Sequence, residues 1–389
     1  MALRYSKIKK AIIISIVLLA IILILRILSY NQFIAEYVFA RGISRAYIYV
    51  IGNITSLFPF SIFELFILIT AITIIILIIK MVKMLSKRCY FLVAKNFVRI
   101  INIVLAITLL YSITASMSYK RNQVENYLPQ YNEIPDNEYI FNMARYYINE
   151  YNELSASLDR DSNGNIKFPY TNSELYELIA LEFDKLDDSY FSSFTPKVKT
   201  LLSSPIWSAF SITGVSFQPT AEPNINSNQP LLYLPHTMAH EIAHSKGVMW
   251  ESDAELVADY ITLTSKNKYI KYSGLTCLLN DIFQMTIYAD EPDVYTEIYQ
   301  LIAKSCWIDI SYANNIYSTK FGLLDKIGEF INDLYLKSNG ATNGVDSYTP
   351  PSDVIEIENP ENPGEIIHYV INYSNSQKLL LAIYERTLS

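Results

Sequence analysis

Three apolar runs near the N-terminus restrict this chain more than any other feature. "IKKAIIISIVLLAIILILRIL" (8–28), "FPFSIFELFILITAITIIILIIK" (58–80) and "VRIINIVLAITLLYSITASMS" (98–118) each come near the roughly 20 residues that a helix needs to cross a bilayer. A helix apolar all round is either buried in a large core or a membrane span, and three such runs in series favour the span. The expectation is three transmembrane helices. The first run, with basic residues ahead of it, also has the layout of a cleaved signal peptide. It is long for one, and no clear small-residue cleavage site follows it, so it reads as a span.

The basic residues give these spans a direction. Arg4, Lys7, Lys9 and Lys10 precede the first, and Lys80, Lys83, Lys87, Arg88, Lys95 and Arg99 crowd the region between the second and third. Basic loops stay in the cytoplasm, so three spans leave everything after Arg121 outside. Residues 1–121 hold 15 of the 31 basic side chains but 2 of the 38 acidic ones. The acidic remainder offers no surface for phosphates, which argues against nucleic acid as a partner. The expected layout is a membrane domain at 1–119, in contact with lipid, and an extracytoplasmic domain at 120–389. Glu64, near the outer end of the second span, is placed to reach the interface.

The outer part reads as mainly helical. "NEYIFNMARYYINEYNELSAS" (137–157) and "TNSELYELIALEFDKLDDSYF" (171–191) space their apolar and tyrosyl residues by three and four, as amphipathic helices do. Residues 203–235, rich in Ser, Thr, Pro and Asn with short β-favouring runs, predict extended structure or a hairpin. Further helices are expected near 274–288, 292–305, 319–337 and 377–387. The Pro-, Asn- and acid-rich segment at 349–364 reads as a surface loop or insertion. Cys277 and Cys306 lie where a disulfide is permitted, although two buried thiols are the expected state.

Chemistry concentrates in "HTMAHEIAHSKGVMWESDAELVADY" (236–260), which holds three of the four histidines. His240 and His244 are four apart with Glu241 after the first, giving His-Glu-x-x-His. On a helix this spacing sets both imidazoles on one face, where they can bind one Zn²⁺, with the Glu beside the open position as general base. Gly247 then suits the end of that helix, and "WESDAELVADYITLT" resumes helical spacing with Glu251, Glu255 and Asp259 on one face. Catalytic zinc takes three protein ligands. Glu251 is the first choice for the third, with Glu255 and Asp253 as alternatives, and a solvated acidic face is the plainer reading of all three. His236, just after Pro235, reads as a capping or supporting histidine, and His368, in a β-like run, as structural.

The stretches "FQPTAEPNIN" (217–226), "HEIAHSKGVMWESDAELVADY" (240–260) and "INDLYLKSNGATNGVDSY" (331–348) resemble the bacterial membrane proteins grouped as domain of unknown function 3810. That family looks like a branch of the zinc peptidases in which the third ligand is the first Glu of a Glu-x-(Glu/Asp)-Ala-(Asp/Asn) helix. The resemblance implies Glu251 as ligand, Glu255 as the residue supporting it, and Tyr335 and Tyr348 as candidate oxyanion donors. The resulting expectation is a mainly α protein, with three N-terminal transmembrane helices before a zincin-like outer domain that has a small β element. Its function would be zinc-dependent hydrolysis of a peptide or protein substrate, with Glu241 moving the proton and the run around 217–226 pairing with substrate. A non-catalytic envelope module stapled by zinc is the rival expectation, and it has no need of Glu241.

Overall fold

The computed structural model of the chain describes residues 2–186, 189–289, 291–317, 322–339, 353–359 and 362–388. Residues 2–28 contain neither Gly nor Pro and form one helix, α1 (Ala2–Leu28). The next segment is helical too: a π-helix over Ile34–Ser44 runs into α2 (Arg45–Ser56). Pro59 delays the second span, and α3 (Ile62–Ser86) begins where the Ser61 side chain accepts from the Glu64 backbone N–H at 3.2 Å. A tight link then leads to α4 (Tyr90–Thr114). Lys7–Leu28, Ile62–Ser86 and Tyr90–Thr114 are long and apolar enough to cross a membrane. The second begins four residues later than the sequence expectation and the third eight residues earlier. Both α1 and α3 pack on α4, and Ser15 joins Asn102 at 2.7 Å across the α1–α4 contact. Ile16, Leu23 and Ile69 point outward with no protein over them.

Beyond the spans, helices again dominate. α5 (Asn137–Ser157) is capped by Asp136, which accepts from the Tyr139 N–H at 2.7 Å. α6 (Asn172–Phe183) opens with a reciprocal Thr171–Glu174 cap and stops earlier than its sequence pattern predicts. The Ser/Pro-rich stretch does carry the expected hairpin, with one extra helical turn. After β1 (Lys199–Thr200), which lies just ahead of it, it forms α7 (Ser204–Ala209), β2 (Gly214–Phe217) and β3 (Glu222–Ile225). Their order is β1-β3-β2, with β1 parallel and β2 antiparallel to β3.

There follow α8 (Leu234–Ser245), α9 (Glu251–Thr264), α10 (Lys268–Tyr288), α11 (Pro292–Leu301), α12 (Lys304–Tyr317) and α13 (Gly322–Asn339). Of the loop or insertion expected at 349–364, the loop alternative is overturned where the structure describes it. Asp353–Asn359 is β4, antiparallel to β5 (Asn362–Asn372). The alternation Ile355-Glu356-Ile357-Glu358 is a strand period, and the flanking prolines had masked it. His368 falls on β5 as expected, and α14 (Asn375–Leu388) closes the chain.

Two apolar cores flank the α8–α9 pair. Tyr147, Tyr151, Leu275, Ile282 and Leu380 fill one, and Ile179, Met238, Ile242, Val257 and Leu379 the other. Since burying one such side chain contributes about 1.5–3 kcal/mol, these cores fix how α8 and α9 face each other. Cys277 and Cys306 are free thiols.

Candidate metal centre

α8 and α9 are joined by a turn whose geometry follows from one residue. Gly247 adopts φ +92°, a left-handed backbone that costs a residue with a Cβ about 1–2 kcal/mol. Its N–H donates to His244 O at 3.0 Å, and the Val248 N–H reaches back to Ala243 O at 3.2 Å. This is the Schellman pattern, and it reverses the chain so that α9 returns along α8.

The returning helix sets three carboxylates against three histidines. Glu251 Oε2 lies 3.2 Å from His244 Nε2 and 3.1 Å from His240 Nε2. One turn on, Glu255 Oε2 is 3.0 Å from His240 Nδ1. One turn further, Asp259 Oδ1 is 2.8 Å from His236 Nε2, and Ser376 of α14 donates to Asp259 Oδ2 at 2.5 Å. The i, i+4 spacing of both helices thus becomes a ladder of alternating imidazoles and carboxylates.

Within that ladder His240, His244 and Glu251 bring three donor atoms together. Ligands about 2.0–2.2 Å from a tetrahedral Zn²⁺ stand roughly 3.3–3.5 Å from one another. The distances from Glu251 to the two imidazoles come close to that edge length. His244 Nδ1–H donates to Val248 O at 2.7 Å, which fixes the tautomer that leaves Nε2 with a free lone pair. Glu255 holds the far edge of the His240 ring in the same way. Asp253 faces elsewhere: the Val124 backbone N–H donates to it, and burial, followed by the Glu125 charge, pushes its carboxyl up to about 7. His236, Glu255 and Asp259 form a second group of potential ligands, adjoining the first through Glu255.

Charge in the ladder matches the donor set. Burial works against a charged His240, yet Glu251 and Glu255 together raise its pKa to about 10. Burial would likewise raise Glu251, but the two imidazoles hold it well below the usual carboxylate range. Glu251 therefore attracts positive charge, which a divalent ion can supply in place of protons.

Glu241 has different surroundings. It is buried, its Oε2 has no hydrogen-bond partner, and burial pushes its carboxyl up to about 7. The start of β2 lies directly over it: a Cβ on Gly214 would sit 2.5 Å from Glu241 Oε1. Sequence reasoning missed Gly214, because nothing local marks a glycine whose partner is 27 residues away. It also missed Arg121, whose Nη1 donates to Gly247 O at 3.2 Å and steadies the α8–α9 turn. Tyr348 and the Tyr335 side chain lie outside what the structure describes.

A family model described as "Protein of unknown function (DUF3810)" matches residues 39–354. The chain belongs to the DUF3810 family. No curated protein and no solved structure matches it. The matched DUF3810 region contains the whole histidine–carboxylate ladder apart from the α14 serine, together with the second and third spans.

Proposed function

We propose that this DUF3810 member is a membrane-anchored, zincin-like metallopeptidase with its catalytic domain outside the cytoplasm. His240, His244 and Glu251 would hold Zn²⁺, and Glu241 would act as the general base. The observation that carries this reading is the unpartnered, buried Oε2 of Glu241 beside the three converged donors. An unsatisfied buried carboxylate oxygen costs stability, and a zinc staple without catalysis has no use for one.

A bound Zn²⁺ would lower the pKa of a water toward neutrality and polarise the scissile carbonyl. Glu241 Oε2 is free to take the proton of the attacking water and pass it to the leaving amine. Gly214 lets extended backbone approach Glu241. Within the run expected to pair with substrate, 217–226, Glu222–Ile225 is β3, which is already paired on both sides, so the place for an added strand moves to β2, an outer strand of this sheet among the described residues. A peptide can add there as a further strand. Glu255 would orient His240, and the Val248 carbonyl His244. The basic link between α3 and α4 supports the cytoplasmic placement of that end.

The reading is tested with the full-length chain in detergent and a quenched random-peptide library. Wild type should cleave, and Glu241→Gln should not. Equal rates for the two would remove Glu241 from the chemistry.

A further inference from the structure

The strand over Glu241 is short, and its other end rests on a spanning helix. β2 has four residues. Gly214 touches Glu241, whereas the Phe217 ring lies 4.8 Å from Phe63 and 5.6 Å from Phe66. Phe63 is the second residue of α3. Three steps of an extended chain cover about 10 Å, so Glu241 stands only about that far from where α3 enters the apolar layer.

Reciprocal hydrogen bonds fix the arrangement. Glu222 of β3 accepts the Ile62 and Phe63 backbone N–H groups at 3.1 and 2.8 Å. Glu64 of α3 in turn accepts the Leu202 and Ser203 N–H groups at 2.9 and 2.8 Å. The other side of the site is anchored as well. Met249 and Trp250, just before Glu251, pack on Ala115 and Tyr119, which follow the end of α4, and Trp250 Nε1–H donates to Tyr119 O at 2.8 Å.

Around this junction apolar side chains are left uncovered by protein. Leu57 and Leu202 are each 81% exposed and Ile206 61%, and Phe58 and Phe60 lie beside them in sequence. Residues 57–60 lead directly into α3, and Leu202 and Ser203, just ahead of α7, are bound to α3 through Glu64, so this apolar collar is continuous with the face of a span. Trp207, whose ring is 5.8 Å from Phe63, adds the kind of aromatic that settles at headgroup level.

We propose that the site works at the bilayer surface, with Leu57, Leu202 and Ile206 seated in the headgroup boundary. Its substrate is then a polypeptide anchored in the same membrane and cut within a few residues of it. The substrate class rests on the metallopeptidase reading; the membrane seat does not. A segment leaving the bilayer in extended form covers the distance to Glu241 in about three residues, and anchoring raises its effective concentration at the site.

The test uses the full-length chain in phosphatidylethanolamine–phosphatidylglycerol vesicles. Spin labels are attached one at a time through Leu202→Cys, Ile206→Cys or Asn163→Cys, with the native cysteines replaced by serine. Labels at 202 and 206 should collide more with dissolved oxygen than with a water-soluble nickel chelate, and the label at 163 should do the reverse. If 202 and 206 behave like 163, the membrane seat is overturned. In the same vesicles, one quenched random decapeptide is offered free, or joined to a transmembrane anchor by a linker of about 3 or about 30 residues, the shorter being matched to the strand-length reach above. The short-linked form should be cut at least about tenfold faster than the free form, as expected for a tethered reactant. Equal rates overturn the substrate class while leaving the hydrolase reading intact. If the zinc-loaded chain cuts none of the three, the hydrolase reading fails and the substrate class with it, and the label depths still decide the seat.

Discussion

Glu241 and Glu251 are both buried, both on the α8–α9 pair, and differ in what surrounds them. Glu251 Oε2 sits between two imidazoles, whereas Glu241 has one oxygen with no partner and a glycine against the other. Replacing Glu241 with Gln keeps shape but removes the proton acceptor, so hydrolysis should fall by on the order of 10²–10⁴. Zinc content and thermal unfolding should stay unchanged. Gly214 gives a separate prediction. In Gly214→Ala the new methyl overlaps the Glu241 carboxylate, and such overpacking costs about 1–3 kcal/mol, readable as a lowered unfolding midpoint together with a loss of activity. The four-residue spacings made legible which histidines and carboxylates share a face. They did not separate Glu251 from Glu255, since both stand on that face and only the packing of α9 on α8 sets which meets His244.

At the scale of elements, the α8–α9 turn and the segment between the first two spans depend on one arginine. Glu36 of the π-helix is buried and accepts from Arg41 at 2.5 Å, Arg121 at 3.1 Å and the Asn122 N–H at 2.8 Å. Arg121 also lies over the Tyr190 ring, 3.6 Å from its centroid. Breaking a buried ion pair from one side costs about 3–5 kcal/mol, so Arg121→Met should destabilise the chain by that order in denaturant unfolding. Burial alone would raise the Glu36 carboxyl, but Arg121 and then Arg41 hold it below its ordinary value. A depressed carboxylate stabilises fully above its unfolded pKa, and that stabilisation is lost as pH falls through the folded one. The stability gap between wild type and Glu36→Gln should therefore be constant near neutrality and shrink in acid below the ordinary carboxylate range. A gap that widens in acid would contradict the pairing. Little of this was legible in the sequence, because Glu36 and Arg121 are 85 positions apart and the link between the spans carries no motif. The helix end at Gly247 was legible, since that residue acts on its immediate neighbours, whereas the Asp136 and Thr171 caps came only with the structure.

At the scale of the molecule, the apolar runs gave the number and approximate place of the three helices long and apolar enough to cross a membrane, because a bilayer requires length and hydropathy more than any particular contact. Of the strand pair at 353–372, the second strand was legible in part as the β-like run around His368, but the first was not, since prolines and acidic residues concealed its alternation. The proposed direction of the spans has a direct check. Cys89 lies in the α3–α4 link, so an impermeant maleimide should leave it unlabelled in intact cells while labelling Asn163→Cys in the α5–α6 turn. The reverse pattern would invert the topology. The proposed metal is central to all of this, and elemental analysis of the purified full-length chain tests for it most directly. Wild type and Glu241→Gln should each carry about one zinc per chain, while His240→Ala and Glu251→Gln should carry little, because two donors hold the ion poorly. Full zinc in Glu251→Gln, or none in the wild type, would contradict the site.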